Sequence, residues 1–246
     1  MTKQLLIYNT VTPLTRRDHG ELAYKPTSSF DFAHGLNAAP LVAAEFLAAA
    51  VDYAIVFSVG TEPPLPAALF GINPDQNLFV GKDGEWLGRY VPAFLRRWPF
   101  VFSTDAVGET YTLCIDETAP GLNRENRGER LFDGDGELTG YTQRIMDFLQ
   151  EFQAQYERTK AFGQRLHDLG LLQTVEAQVT LSGEQSRTLT GFQIVNRDKL
   201  KSLPAETVEQ MFRSDELDLI YLHLFSVRNL EQLREKALQA RTPGAD

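Results

Sequence analysis

The chain has 246 residues, of which 43% are hydrophobic, 11% aromatic and 23% charged, so it can bury a sizeable core and is not a disordered protein. The 24 Lys and Arg side chains against 33 Asp and Glu give a net charge of −9, which disfavours a nucleic-acid backbone or an anionic membrane as the main partner because both would be repelled. The single cysteine, Cys114, excludes an internal disulfide and a cysteine-based zinc site.

The first half of the chain predicts short strands separated by polar turns. Because proline suits the first position of a helix, we expect a helix to begin near Pro40, with Glu45 and Asp52 forming a thin acidic stripe on an otherwise apolar circumference. The other predicted elements are strands at residues 4–8, 54–58, 67–71 and 78–80, turns over 13–25, a helix at 92–98, and a hairpin of 100–103 with 111–115 that turns at 105–108.

The second half predicts helices and one further hairpin. Thr139 is expected to cap a long amphipathic helix, Gly163 to bend it and Gly170 to end it, while Asp198 and Ser214 are expected to cap later helices. The apolar stripe of the long helix consists of Tyr141, Ile145, Leu149, Phe152 and Tyr156. The remaining elements are a loop at 117–130, a tight turn at 131–138, a hairpin at 175–195 that turns at 182–184, and helices at 217–225 and 230–240, the former too apolar for a surface helix.

These elements predict an α+β fold. Sheet-forming runs come in adjacent pairs joined by short turns, which favours antiparallel pairing over a doubly wound parallel sheet. One long amphipathic helix and a helical C-terminal quarter complete a single domain over residues 1–240, followed by a loose tail at 241–246.

We expect no secretory signal at the N-terminus and no membrane-spanning segment in the most apolar part of the chain. The N-terminal apolar stretch is too short for a secretory signal, and the apolar run at residues 39–60 contains Glu45 and Asp52, each costly inside a bilayer. We therefore expect a cytoplasmic protein without an integral membrane segment, and export by a route without an N-terminal signal stays open.

One segment of the chain is highly characteristic, and it reads Tyr90-Val91-Pro92-Ala93-Phe94-Leu95-Arg96-Arg97-Trp98-Pro99-Phe100. It resembles the core motif of the bacterial SapC family, and further similar stretches occur in the expected order at residues 40–46, 53–57, 77–80, 114–117, 131–136 and 221–226. The resemblance spans residues 8–238 and departs from the family at Ala54, where proline is usual. It implies a link to the export and assembly of bacterial surface layers or to outer-membrane uptake systems, and no defined reaction.

The same segment contains the strongest candidate binding site. Arg89, Arg96 and Arg97 lie among aromatic residues, and adjacent guanidiniums held by aromatic rings can bind a carboxylate or phosphate. Alternatively, Arg96 and Arg97 pair internally with Glu45, Asp52, Asp116 or Glu117, an arrangement that is common for partly buried arginines. The candidate ligand-binding residues are Arg96, Arg97, Tyr90, Trp98, Arg89, Glu45 and Asp116.

A metal site has weaker support. His19 and Glu21, with a distant His167 or His223, could form the two-histidine, one-carboxylate set that binds iron, but their segment is turn-like rather than strand-like. We expect no cofactor, with iron as the alternative. Residues 133–137 are similar to the start of a calcium loop, yet the twelfth position is Arg144 instead of glutamate, so a surface turn is expected.

Nucleophilic catalysis also has little support. Cys114 lies in an apolar strand pattern, Ser226 is expected to cap a helix, and His223 lies in an apolar helix where a hydrogen-bonded core histidine is the usual state. No Gly-x-Gly-x-x-Gly motif or P-loop occurs. If Phe148, Phe152 and Tyr156 were exposed, they could form a homodimer contact, although a core stripe is the simpler interpretation.

Two functions remain after these exclusions. The first is a non-catalytic binding or assembly factor that serves bacterial surface proteins or their uptake machinery and holds a peptide or carboxylate in the Arg and aromatic cluster. The alternative is an iron-dependent, oxygenase-like tailoring enzyme that acts on a peptide or small substrate in the same pathway. Because no convincing catalytic set occurs in the sequence, the first function is favoured.

Overall fold

A computed structural model describes residues 6–104, 110–180 and 186–240 and confirms the α+β fold. The strands are β1 (Val11–Pro13), β2 (Ala23–Tyr24), β3 (Ala38–Pro40), β4 (Ile55–Ser58), β5 (Pro66–Leu69), β6 (Phe100–Thr104), β7 (Tyr111–Asp116), β8 (Leu122–Asn123), β9 (Glu129–Arg130), β10 (Leu172–Thr180) and β11 (Ser186–Val195). The helices are α1 (Arg16–His19), α2 (Phe46–Ala49), α3 (Ala93–Arg96), α4 (Gly140–Asp168), α5 (Arg197–Lys201), α6 (Ala205–Arg213), α7 (Glu216–Ser226) and α8 (Asn229–Gln239), with 3₁₀ turns at Asp31–Ala33 and Ala43–Glu45.

The strands form three antiparallel sheets. The largest has the order β10-β11-β4-β5-β3, and two three-stranded sheets have the orders β1-β7-β6 and β8-β2-β9. Both predicted hairpins are confirmed, as β6 with β7 and as β10 with β11, and their predicted turns at 105–108 and 182–184 lie outside the described residues. Of the helices in the described ranges, none is long and apolar enough to cross a bilayer.

The long helix α4 confirms most of its local signals. Thr139 caps it by accepting a hydrogen bond from the Thr142 N–H, and Gly170 adopts a left-handed φ of +62° just beyond its end. Leu149 and Phe152 of its apolar stripe are buried, as expected. Gly163 does not interrupt the helix, because α4 runs unbroken to Asp168.

The N-terminal third differs most from the prediction. Of the predicted strand at 4–8, residues 6–8 form no strand and the rest lies outside the described part of the chain. The turn region at 13–25 contains α1 and β2, and at 78–80 only Val80 forms a bridge, with Trp86. The helix expected near Pro40 begins three residues later, as the 3₁₀ turn Ala43–Glu45 followed by α2. Pro40 itself pairs with Ala67 in β3, an edge strand where the missing N–H of proline is tolerated.

The C-terminal quarter is helical as predicted, but its caps differ. Asn196, not Asp198, caps α5 by accepting hydrogen bonds from two backbone N–H groups, and Ser214 ends α6 while Asp215 precedes α7. The apolar helix α7 packs against β4 and β11, yet it is not fully buried, since Tyr221 and Phe225 are exposed.

Position 163 requires glycine because the backbone of Pro64 approaches helix α4 closely at this point. A Cβ atom at this position would lie 2.0 Å from the carbonyl oxygen of Pro64. Although replacing glycine by alanine in a helix normally stabilises it by about 1 kcal/mol, we expect Gly163→Ala to lower the free energy of unfolding by about 2 kcal/mol because the backbone must shift. Urea denaturation measures this change. The exposed neighbour Gln164 is the control, and Gln164→Ala should change stability by no more than about 0.5 kcal/mol; a stabilised Gly163→Ala variant would contradict the account.

Candidate functional site

The characteristic segment at residues 90–100 forms a junction between a helix and a strand. Pro92 precedes the single turn of α3, the peptide bond between Trp98 and Pro99 is cis, and the chain then enters β6 at Phe100. The Phe100 N–H donates to the Arg97 carbonyl at 2.8 Å, which tightens the turn. Arg96 and Arg97 therefore stand at the end of a short helix with fixed neighbours on both sides.

Glu45 holds the start of α3 in place. Its side chain is buried, its Oε1 accepts hydrogen bonds from the Ala93 N–H and the Tyr90 hydroxyl, both at 2.7 Å, and its Oε2 accepts one from the Val42 N–H at 2.9 Å. The N–H groups at the start of a helix lack partners within the helix, and a carboxylate satisfies them strongly. Glu45 thus joins α3 to the helical turn that precedes α2.

Arg96 is exposed and contacts Tyr90, which is bound to Glu45. Its Nη2 donates to the Tyr90 hydroxyl at 3.1 Å, and its guanidinium carbon lies 5.6 Å from the centre of the Tyr90 ring and 5.4 Å from that of Phe148. Burial and the neighbouring Glu45 carboxylate raise the pKa of Tyr90 to about 12, and Arg96 opposes this shift. The Tyr90 hydroxyl consequently stays protonated and donates to Glu45.

Arg97 points in a different direction and is buried. Its guanidinium carbon lies 4.3, 5.1 and 5.7 Å from the ring centres of Phe94, Phe152 and Tyr8. Burial lowers the pKa of the guanidinium and Tyr8 raises it, but arginine stays charged in either case. The two adjacent arginines therefore contact aromatic rings that lie one turn apart on α4, Arg96 at Phe148 and Arg97 at Phe152.

The acidic residues expected to pair with these arginines use their oxygens elsewhere. Asp52 accepts hydrogen bonds from the backbone N–H groups of Arg89 and Tyr90. Asp116 accepts them from three backbone N–H groups, which lower its pKa against the effect of burial. Glu117 lies 3.1 Å from His19. Of the predicted binding residues, the structure joins Glu45, Tyr90 and Arg96 directly. Among the described residues, Asp116 and the Arg89 side chain make no hydrogen bond or ion pair with these three.

A largely apolar cavity of about 410 Å³ lies beside Arg97. Phe94, Phe152 and Arg97 line one part of it, and Ala38, Pro40 and Ala67 line another. Pro40 and Ala67 are register partners, and Ala38 lies two residues from Pro40, so the three side chains share one face of the sheet. Because these side chains are small, they leave space above the sheet.

A second cavity, of about 270 Å³, lies on the Arg96 side. Its walls are aromatic, and Trp98 stacks on Phe32 there with ring centres 4.1 Å apart. The indole Nε1 of Trp98 is buried and has no acceptor among the described residues. Neither cavity could be predicted from a motif, since both are formed by residues far apart in the chain.

The structure does not bring the candidate metal ligands together. Both ring nitrogens of His19 are engaged, Nδ1 with the Thr15 N–H at 3.0 Å and Nε2 with Glu117, and Glu21 lies 3.8 Å from Arg124. Among the described residues, no group of three His, Cys, Asp or Glu side chains could hold a metal ion. The alternative iron set of His19, Glu21 and His223 is therefore not assembled in the described part of the chain, where each of the three takes part in a separate contact.

The candidate nucleophiles and their base lie in the core. The Nε2 of His223 accepts a hydrogen bond from the Val195 N–H at 3.0 Å, and its Nδ1 lies 2.9 Å from the Ile55 carbonyl oxygen. Burial lowers the pKa of His223 to about 4, so the ring is neutral and Nδ1 donates. Ser226 is the buried last residue of α7, and its hydroxyl accepts from the Ile55 N–H. Cys114 is buried in β7, as expected.

Comparison with known proteins gives a match to a protein-family model. A protein-family model described as SapC matches residues 14–233, which is most of the chain. No curated protein and no solved structure matches.

Because Arg96 and Arg97 have different surroundings, we expect their alanine variants to differ in stability. Removing the buried Arg97 side chain leaves a gap among three aromatic rings, so Arg97→Ala should lower the free energy of unfolding by about 3 kcal/mol. Arg96→Ala should lower it by less than about 1 kcal/mol, because the side chain is exposed. Chemical denaturation compares the two variants, and equal losses would contradict this assignment.

His223 predicts a pH dependence of stability. Its pKa of about 4 in the folded state lies below the value of about 6.5 in an unfolded chain. The unfolded state therefore binds a proton first, and stability is lost as the pH falls from about 6.5 to about 4, by up to about 3 kcal/mol. His223→Gln does not titrate and keeps a donor and an acceptor. We expect the variant to lose less stability than the wild type between these pH values, as measured by denaturant titrations at each pH. If the unfolding free energies of the two proteins fell in parallel with pH, His223 would not be the cause.

Proposed function

The chain belongs to the SapC family, and we propose that it is a non-catalytic binding protein. Its ligand would be a peptide that ends in an apolar residue with a free C-terminal carboxylate, held in the cavity beside Arg97. The peptide would come from a bacterial surface protein or from uptake machinery. The observation that carries the proposal is a fixed positive charge in the wall of a largely apolar cavity.

The size and lining of the cavity suit such a ligand. At about 410 Å³, it lies within the range of about 300 to 1,000 Å³ that is usual for small-molecule sites. Leu36, Leu65 and Phe94 line it with hydrocarbon, so apolar side chains gain free energy on entering. A peptide that ends in an apolar residue fits this lining.

Arg97 supplies the charge that selects an anion. A guanidinium in surroundings of low dielectric attracts a carboxylate more strongly than one in water. The rings of Phe94, Phe152 and Tyr8 already hold the guanidinium in position, so little side-chain freedom remains to be lost on binding. Specificity for a carboxylate over a neutral amide would follow.

The positions of the other polar groups favour binding over chemistry. His223 and Ser226 use their polar atoms to hold the backbone at Ile55 and Val195. His19, Glu21 and His223 lie in separate contacts, so no specific observation favours the iron-dependent alternative.

A pair of short peptides tests the proposal. Acetyl-leucyl-phenylalanine with a free carboxylate and its C-terminal amide differ only in charge, and calorimetric titration measures their affinities. We expect the carboxylate to bind at least about tenfold more tightly, a difference of about 1.4 kcal/mol. In the Arg97→Met variant, which keeps a long apolar side chain, the two affinities should become equal.

Filling the cavity gives an independent control. Ala67→Leu places a larger side chain on the cavity wall and should abolish peptide binding without loss of thermal stability. The matched variant Ala154→Leu adds the same atoms on the exposed face of α4 and should bind like the wild type. The proposal fails if the carboxylate and amide bind equally to the wild type, or if Ala67→Leu retains binding.

A further inference from the structure

Helix α7 exposes a stripe of four side chains, Asp218, Tyr221, Phe225 and Arg228. Residues 227 and 228 keep right-handed helical dihedral angles beyond the end of α7, so the helical phase continues through Arg228. At 100° per residue, the four positions span an arc of about 80°. The buried residues Ile220, His223 and Ser226 lie on the opposite face.

The order of these side chains is symmetric about position 223. Tyr221 and Phe225 lie two residues on either side of it, and Asp218 and Arg228 lie five residues on either side. The stripe thus has an acidic end, an aromatic centre and a basic end. The Arg228 guanidinium carbon lies 3.8 Å from the centre of the Phe225 ring, so the basic end adjoins the aromatic centre.

We propose that this stripe is a homodimer interface that pairs α7 with α7 of a second copy of the chain in antiparallel orientation. A two-fold axis at position 223 sets Asp218 opposite Arg228 of the second copy and Tyr221 opposite its Phe225. Both halves of the contact are then identical, as two-fold symmetry requires. The pairing satisfies both charges and covers both aromatic rings.

The helices that pack against α7 also expose apolar side chains. Helices α2 and α6 both pack against α7, and Leu47 of α2 and Phe212 of α6 are 72% and 69% exposed. Exposed apolar surface of this kind is typical of protein interfaces. A single pair of helices buries less area than a stable dimer needs, so the proposed interface would include parts of α2 and α6.

A second copy fits the stripe better than an unrelated partner. Its charges have opposite signs at equal distances from the centre, so an antiparallel copy sets opposite charges against each other, whereas a parallel copy would set like charges against each other. The other candidate for dimerisation, the aromatic stripe of α4, is already used within the chain, because Phe148 and Phe152 contact Arg96 and Arg97.

Charge reversal in the full chain tests the interface. Sedimentation velocity over a series of concentrations should show a reversible dimer for the wild type. Asp218→Arg or Arg228→Asp alone places like charges opposite each other and should weaken dimerisation by about tenfold or more. The double variant Asp218→Arg with Arg228→Asp restores opposite charges and should recover the dimer.

Two controls separate the interface from general effects of charge and folding. Asp147→Arg makes the same change of charge on the exposed face of α4 and should dimerise like the wild type, and circular dichroism checks that every variant is folded. A wild type that stays monomeric at all concentrations overturns the proposal. So does a dimer that tolerates both single reversals, or one that the double variant fails to restore.

Discussion

The buried carboxylate of Glu45 is the contact on which the arrangement of the site depends. It accepts hydrogen bonds from Val42, Ala93 and the Tyr90 hydroxyl, and so joins the helical turn before α2 to the first residue of α3. A carboxylate removed from water is stable only when its oxygens are fully bonded, and a single misplaced donor would be costly. The position of α3 is therefore narrowly fixed, and with it the directions of both arginines at its end.

The chain has a net charge of −9, and several of its acidic side chains bind backbone N–H groups in the folded protein. Glu45, Asp52 and Asp116 accept hydrogen bonds from backbone N–H groups, where negative charge replaces the partners that helices and turns lack. The arginines that these acids were expected to neutralise instead contact aromatic rings. These three carboxylates thus hold backbone segments in place, and Arg97 lies in the wall of the apolar cavity.

Structural features that depend on neighbouring residues could be predicted from the sequence. Features that depend on contacts between residues far apart in the chain could not. Thr139 and Gly170 mark the ends of α4 through local hydrogen bonds and dihedral angles, and both were predictable. Pro40 has a φ angle that suits both a helix start and an edge strand, and only its pairing with Ala67 decides between them. Likewise, the motif placed Arg96 and Arg97 together, but consecutive helical residues point about 100° apart, so their separate surroundings could not be read from the motif.

The five-stranded sheet separates the cavity from the exposed stripe of α7. Ala67 pairs with Val56, so its side chain points to the opposite face from Phe57, whose ring lies 5.1 Å from that of His223. Since the neutral His223 binds the backbone of both β4 and β11, the rotation of α7 about its axis is fixed relative to the sheet. A ligand beside Arg97 and a second copy on α7 would therefore occupy different faces, and a dimer would present two independent cavities.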